Sequence, residues 1–284
     1  GRRRCRHQRR IMNIVVIGAH PDDCEAYAGG TAIKWLRAGN RVLFVSLTNG
    51  DAGHHEMGGG VLARRRRKES EASARRGGME TLILDHHDGE LMPTLAIRHE
   101  VIRIIRRYRA DVVISHHPED YHPDHRYTST LVQDASFMVT VPNCCPDVEA
   151  LRHNPYFFYL MHARPSALTL TPHIAIAIDD VMEVKYDLLD AMESQMYEWL
   201  PWLEGTLDQV PSAPAARKAW LRENWDASFT RPANAHRDLL ARWYGPEQAR
   251  ETRYVETFEI CPYGRQPSED ELRRLFPFFP DPRA

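Results

Sequence analysis

No CxxC pair occurs among the five cysteines (Cys5, Cys24, Cys144, Cys145 and Cys261), and their number is odd. That spacing argues against a disulfide framework and a cysteine zinc finger, and it fits a reducing compartment, read as the cytoplasm. No N-x-[ST] acceptor argues for secretion. No stretch reaches the ~18 consecutive apolar residues of a membrane-spanning helix, so no membrane partner is expected. Neither GxGxxG nor GxxxxGK[ST] occurs, which removes the usual glycine cradles for nucleotide phosphates. GxSxG is missing too, and with it the nucleophile elbow of a serine hydrolase. Net charge is small, −2 over 284 residues. Six arginines fall within GRRRCRHQRR at positions 1–10, and removing their charge leaves −8 for residues 11–284. Such a balance argues against a nucleic-acid face beyond the tail. Residues 1–11 read as a disordered basic tail, with Met12 as the natural start. The tail and the following IMNIVVIGA imitate a signal peptide with a twin arginine, but cleavage near Ala19 would remove a strand and leave His20 at a raw terminus.

With 43% hydrophobic residues there is ample material for a core. Apolar strand-like runs occur at Ile14–Ile17, Arg41–Leu47, Thr81–Leu84 and Asp111–Ser115. Helix-like segments at Ala26–Ala38, Leu62–Arg76 and Ile97–Tyr108 separate them; Ile97, Val101, Ile104, Ile105 and Tyr108 recur at helical spacing. The alternation predicts an α/β, Rossmann-like fold, a mostly parallel sheet with helices on both faces. The run ARRRRKESEASARR reads as a solvated helix face, interleaved with Glu69 and Glu71 and free of aromatics. His173–Asp180 looks like one more strand and Val181–Leu200 like a helix, which closes a domain over residues 12–200. Residues 201–284, rich in tryptophan and proline, read as a lid or extension packed on the same domain.

Ligands of parallel sheets bind beyond the carboxyl ends of the strands. Polar clusters follow all four early strands: AHPDD, TNGDAG, DHHDGEL and HHPEDYHPDH. Two adjacent carboxylates beside an imidazole, in GAHPDDCEAYAGG at Gly18–Gly30, repel each other unless a cation sits among them. Zinc bound by histidine nitrogens and a carboxylate, with one position open, is the usual catalytic arrangement. His20, Asp23 and His125 satisfy it with one ion per chain, another divalent transition metal being the alternative. Asp22 is then free to take a proton from water. His122 faces the other side of the substrate as an imidazolium, and Asp124 holds its tautomer. Hydrolysis of an unactivated carbonyl such as an amide uses all of these parts. His86, His87, His116 and His117 read as hydrogen-bonded loop residues, and Cys24 as packing. The loop GHHEMGGG, with His54 and His55, reads as a mobile rim, and Trp199, Trp202, Trp220, Trp225 and Trp243 as core or interface.

AHPDD after the first strand and HPDH after a later one resemble the PIG-L/LmbE-like family of zinc-dependent N-acetylglucosaminyl deacetylases. The resemblance spans about residues 13–195 and includes SLTNGDAG, the step Arg66–Glu69, DGEL at Asp88–Leu91, and Lys185, Ser194 and Gln195. It implies zinc on His20, Asp23 and His125, Asp22 as general base, and His122 as the group that stabilises the oxyanion and assists the leaving amine. It implies Arg66 and Asp88 as sugar-binding residues. Some members use a tyrosine two residues before HPDH on the oxyanion, whereas Tyr121 here immediately precedes His122. The expected substrate is a small N-acetylated sugar or glycoside, and relatives often assemble, which leaves a homo-oligomer open. Two other readings compete: hydrolysis of a different amide or ester on this scaffold, and a non-catalytic binding module. The latter predicts loss of a ligand or of the base, and all five residues are intact.

Overall fold

Residues 10–161 and 170–280 are described by the computed structural model; most of the basic tail and Cys5 lie outside them. In chain order the elements are β1 (Asn13–Gly18), α1 (Asp23–Arg37), β2 (Arg41–Thr48), α2 (Gly59–Gly77), β3 (Glu80–His86), α3 (Leu95–Tyr108), β4 (Val112–His116) and α4 (Pro123–Met138). There follow β5 (Tyr156–Leu160), β6 (Ile174–Ala177), α5 (Met182–Asp190), a π-helical segment Ser194–Trp199, α6 (Leu200–Glu204), α7 (Pro214–Ala235), α8 (Arg237–Tyr244), α9 (Pro246–Glu251), β7 (Val255–Gly264) and α10 (Glu269–Leu275). The strand order is β3-β2-β1-β4-β5-β7-β6. The first five strands run parallel, and β7 is antiparallel to both neighbours.

Period-two alternation divides the core between the two faces of the sheet. Ile14, Val16, Val42, Phe44, Val112 and Ile114 pack with Ala28, Ala32 and Trp35 of α1 and Leu188 and Leu189 of α5. Val15, Ile17, Leu43, Val45 and Val113 pack on the other face with Val101, Ile105 and Leu131 of α3 and α4. A sheet covered on both sides needs strands apolar at successive positions, and this is why the early strands read as continuous hydrophobic runs. Trp35, wholly buried, satisfies its indole N–H on the carbonyl of Leu275 at 2.7 Å.

Three features differ from the sequence expectation. The stretch Tyr156–Leu160 is a fifth parallel strand. The segment Val181–Leu200 is no single helix: α5 ends at Asp190 and a π-helical turn follows. Residues 201–284, expected as a lid or extension, supply β7, which sits inside the sheet between β5 and β6. Antiparallel pairing with β5 on one side and β6 on the other satisfies both edges of β7. Among the described residues no helix is long and apolar enough to cross a membrane.

Candidate metal centre and active site

The chain runs outward from β1 through β2 to β3 and then returns to place β4 on the other side of β1. Such a reversal opens a crevice at the carboxyl ends of the two central strands. Everything assigned to the chemistry hangs on this crevice: His20, Asp22 and Asp23 after β1, and Asp120, His122, Asp124 and His125 after β4. Gly18 lets the turn close, since a Cβ there would lie 2.7 Å from Cβ of Asp23. The Asp23 carboxylate then accepts the amides of Ala19 (2.9 Å) and His20 (2.7 Å) at the start of α1, where the helix dipole favours negative charge.

Nδ1 of His20, Nε2 of His125 and the Asp23 carboxylate converge. His20 Nδ1 is 3.2 Å from His125 Nε2 and 3.4 Å from Asp23 Oδ2, and His125 Nε2 is 3.3 Å from Asp23 Oδ1. Each of these three groups also has a further partner. His20 Nε2 meets Asp124 and Asp88, both at 3.1 Å, and His125 Nδ1 meets Asp120 at 3.0 Å. His116 Nε2 lies 3.1 Å from Asp23 Oδ2. With each ring neutral, these contacts keep its proton on the outer nitrogen facing the carboxylate and turn the lone pair of the inner nitrogen toward the centre, the form in which it could hold a cation. Donor atoms of His20, His122 and His125 also lie within 4.8 Å of one another, as do those of Asp23, His116 and His125.

The electrostatics favour a cation. Burial works against charge on Asp23, yet His125 and His116 outweigh it and hold the carboxyl well below its usual range. Burial likewise opposes charge on His125, but Asp23 and Asp120 push it up to about 9. His20 is raised well above its usual value, its burial overcome by Asp124, Asp23 and Asp88. Asp22 goes the other way from Asp23. Burial raises its pKa, and the Arg66 guanidinium, 3.3 Å from Oδ2, only partly opposes this.

Arg66 is 2% exposed although it belongs to the arginine run expected on a solvated face. It turns inward toward the carbonyls of Gly50 and Pro21, each 3.3 Å away, and lies 3.8 Å from Asp88. Gly50 has φ of 72°, and a Cβ there would run into the guanidinium. The Arg66 Nε atom is buried without a hydrogen-bond partner among the described residues. Arg66 and Asp88 line the same cavity of about 390 Å³ as Asp22, His122 and Tyr121.

Three assignments are corrected. The Asp124 carboxylate does not hold His122. At the start of α4 its carboxylate turns back onto the amides of Gly89 (2.7 Å) and Leu91 (3.2 Å) and onto His20, so it orients a different ring. His122 accepts the backbone amide of Asp124 at Nδ1, which leaves its proton on Nε2. Nor is His122 an imidazolium: burial, with His20 and His125 nearby, pushes it down to about 4. His116 is a buried strand-end residue and not a loop residue, and Asp120 was not singled out at all. A signal for both existed in HHPED, which begins at the last residue of β4.

The rim also differs from expectation. His54 is tied to Glu198 at 2.7 Å, and Glu198 to Arg65 at 2.6 Å, so the glycine-rich loop is pinned. His55 stacks on Trp202, and Trp202 on Trp199. Trp199 and Trp225, expected in core or interface, line the cavity, whereas Trp243 is buried in the core. Cys24 packs, its thiol pointing at the carbonyls of Val16 and Val45.

Residues 15–136 match the family model described as PIG-L, GlcNAc-PI de-N-acetylase. A diacetylchitobiose deacetylase of Thermococcus kodakarensis is 32% identical over 209 residues, 68% of this chain and 75% of that protein. The structure of N,N'-diacetylchitobiose deacetylase from Pyrococcus horikoshii aligns with a TM-score of 0.65 at 26% identity, over 91% of this chain and 88% of that one. GalB, a 4-carboxy-2-hydroxymuconate hydratase of Pseudomonas putida, aligns at 0.69 over 91% and 99%, but at 20% identity the likeness is one of fold alone. Matching sequence, shared fold and a histidine–aspartate cluster at the switch point agree: the chain belongs to the PIG-L family of metal-dependent deacetylases.

Proposed function

We propose that the chain removes the acetyl group from an N-acetylated amino sugar, N-acetylglucosamine or a glycoside bearing it, with one zinc ion held by His20, Asp23 and His125. The spacing of those three groups carries the reading. The two ring nitrogens, 3.2 Å apart, match the ~3.3 Å edge of a tetrahedron with bonds of ~2.0–2.1 Å, and the Asp23 carboxylate faces both, Oδ2 at 3.4 Å from His20 and Oδ1 at 3.3 Å from His125. Bound there, a divalent ion lowers the pKa of a water at its open position and polarises the acyl carbonyl.

The remaining steps belong to side chains. Asp22 takes the proton of the attacking water; burial gives its carboxylate the affinity to do so, and Arg66 restrains that affinity. The proton then passes from Asp22 to the departing amine nitrogen. His122, neutral at pH 7, donates its Nε2–H to the oxyanion that forms as the carbonyl is attacked. Asp124, Asp120 and His116 orient the three ligating groups. Arg66 and Asp88 line the cavity that would receive the sugar.

The test joins metal content to free-amine release from N-acetylglucosamine and a panel of N-acetylated glycosides, with and without chelator. The expected result is about one zinc per chain and turnover that chelator abolishes and zinc restores. Turnover indifferent to chelator would overturn the mechanism. Metal-loaded protein inert on the whole panel would overturn the substrate class.

A further inference from the structure

The loop over residues 139–155 joins α4 to β5 and is pinned from one point. Arg106 of α3, 2% exposed, donates to the carbonyls of Met138, Val139, Val141, Cys144, Cys145 and Val148. The amides of Cys144 and Val148 meet the carbonyls of Val141 and Cys145, each at 3.1 Å, and close the turn. Within it Cys145 has φ of 49°, a left-handed conformation uncommon for a residue that carries a side chain. Backbone of this kind persists only where its surroundings hold it, and it collects at ligand clamps.

Two consecutive side chains, which an extended chain would point to opposite sides, come together here. Their sulfurs are 4.0 Å apart, and both thiols are free. A ring nitrogen of His99, on α3, completes a set of three donors that all lie within 4.8 Å of one another. Cys145 is buried, while Cys144 and His99 are half-buried, so the set is open to solvent on one side. The Cys145 thiol also faces the carbonyl of His99 at 4.0 Å, a contact that a weak S–H donor gives up at little cost. None of the three residues lines the catalytic cavity.

The donor set differs in kind from the catalytic one. Two imidazoles and a carboxylate suit zinc, whereas two thiolates and one imidazole suit a softer cation. Three donors spread in a plane around an ion, with bonds to sulfur of ~2.3 Å, stand ~4.0 Å apart, the separation of these two sulfurs. Burial and the adjacent Cys144 thiol hold the Cys145 thiol above its ordinary pKa, and Arg103 and Arg106 only partly oppose this. A metal ion takes the place of those protons: each thiol releases its own to solvent as the metal–sulfur bond forms. Cu+ with two thiolates carries one net negative charge. Two guanidiniums stand near it, Arg106 and Arg103, the latter shared with Asp147 at 2.8 and 3.0 Å.

We propose that Cys144, Cys145 and His99 bind one Cu+ ion in three-coordinate geometry and so tie the loop over residues 139–155 to α3. The site is independent of the zinc proposed at His20, Asp23 and His125.

Anaerobic titration of the zinc-loaded protein with Cu+, in competition with a coloured Cu+ chelator, tests it. The wild type is expected to withhold one Cu+ per chain from the chelator, to keep its zinc, and to melt at a higher temperature with copper than without. Cys144→Ser and His99→Gln, both at half-buried positions, should each weaken retention by ~100-fold or more, beyond the ~10–100-fold that loss of an outer partner costs. Zinc content and the copper-free melting temperature, unchanged in both variants, report that they are folded; with two variants the test stays decisive if one of them is not. A wild type that retains no Cu+, or retention that both variants leave intact, would overturn the site. Retention lost in His125→Ala but kept in Cys144→Ser would place the ion in the catalytic centre and overturn it equally. A second zinc per chain, lost with Cys144→Ser, would overturn the choice of ion.

Discussion

Asp22 and Asp23 are chemically identical neighbours with opposite fates. Asp23 sits among His116, His125 and two backbone amides and stays charged, whereas Asp22 faces the cavity with one guanidinium and has a raised pKa. Their substitutions should separate the same way. Asp22→Asn keeps the geometry but cannot take a proton, and kcat should fall by ~10²–10⁴-fold with zinc content unchanged. His125→Ala should lose the metal itself, as read by metal analysis. Arg66→Met removes the cation that holds the Asp22 pKa down. Since the base works deprotonated, the acid limb of the pH–kcat/KM profile should move to higher pH in that variant; a limb that stays put would exclude Asp22 as the base. At this scale the sequence was legible where the candidate site residues stand next to their strand. His20, Asp22 and Asp23 follow β1 within five residues, and HPDH opens α4. The partners of these groups were less legible, because they come from elsewhere in the chain. Asp124 was read onto its sequence neighbour, but the first turn of α4 aims it across the crevice at His20.

Elements held by long-range polar contacts explain the rest of what pattern reading missed. β5 is apolar at every position, yet the long loop over residues 139–155 separates it from α4, and α4 itself was not read as a helix, so the strand–helix alternation gave no cue. β7 reads VETFEICPYG, with glutamates at positions that a buried strand rarely gives to charge. Glu256 is tolerated there because four donors meet it: the amides of Gly30 and Thr31, the Thr31 hydroxyl and Lys185. The π-helical turn has a similar anchor, Glu69 of α2, which accepts the amide and hydroxyl of Ser194 at 3.0 and 2.6 Å. The matched step at Arg66–Glu69 thus joins the catalytic cavity to its wall, one residue facing Asp22 and the other fixing the turn that carries Gln195 and Trp199. Breaking the Lys185–Glu256 pair from one side leaves a buried carboxylate among fewer donors. Lys185→Met should therefore cost about 3–5 kcal/mol of stability, measured as a fall in the denaturation midpoint. A change within ~0.5 kcal/mol would mean that the pair contributes nothing net.

At the scale of the whole molecule, the chain leaves the sheet after β6, builds α5 to α9, and returns to insert β7 between β5 and β6. Sequence reading cannot anticipate a strand whose partners lie about 100 residues upstream, since short-range pattern carries no pairing information. The consequence separates an inserted strand from a lid. Ending the chain at residue 250 would remove β7, the one strand that pairs with both β5 and β6, the acceptor of the Trp35 indole at Leu275, and the counter-ion of Lys185. A lid could be cut away with the metal site and the first four strands left folded. Here the same cut opens the core face on which α1 lies, and α1 carries Asp23. The truncated chain should accordingly show no cooperative thermal transition by circular dichroism and bind no zinc. Retention of both would mean that β1 to β4 with α1 to α4 fold on their own, and that β7 only finishes an edge.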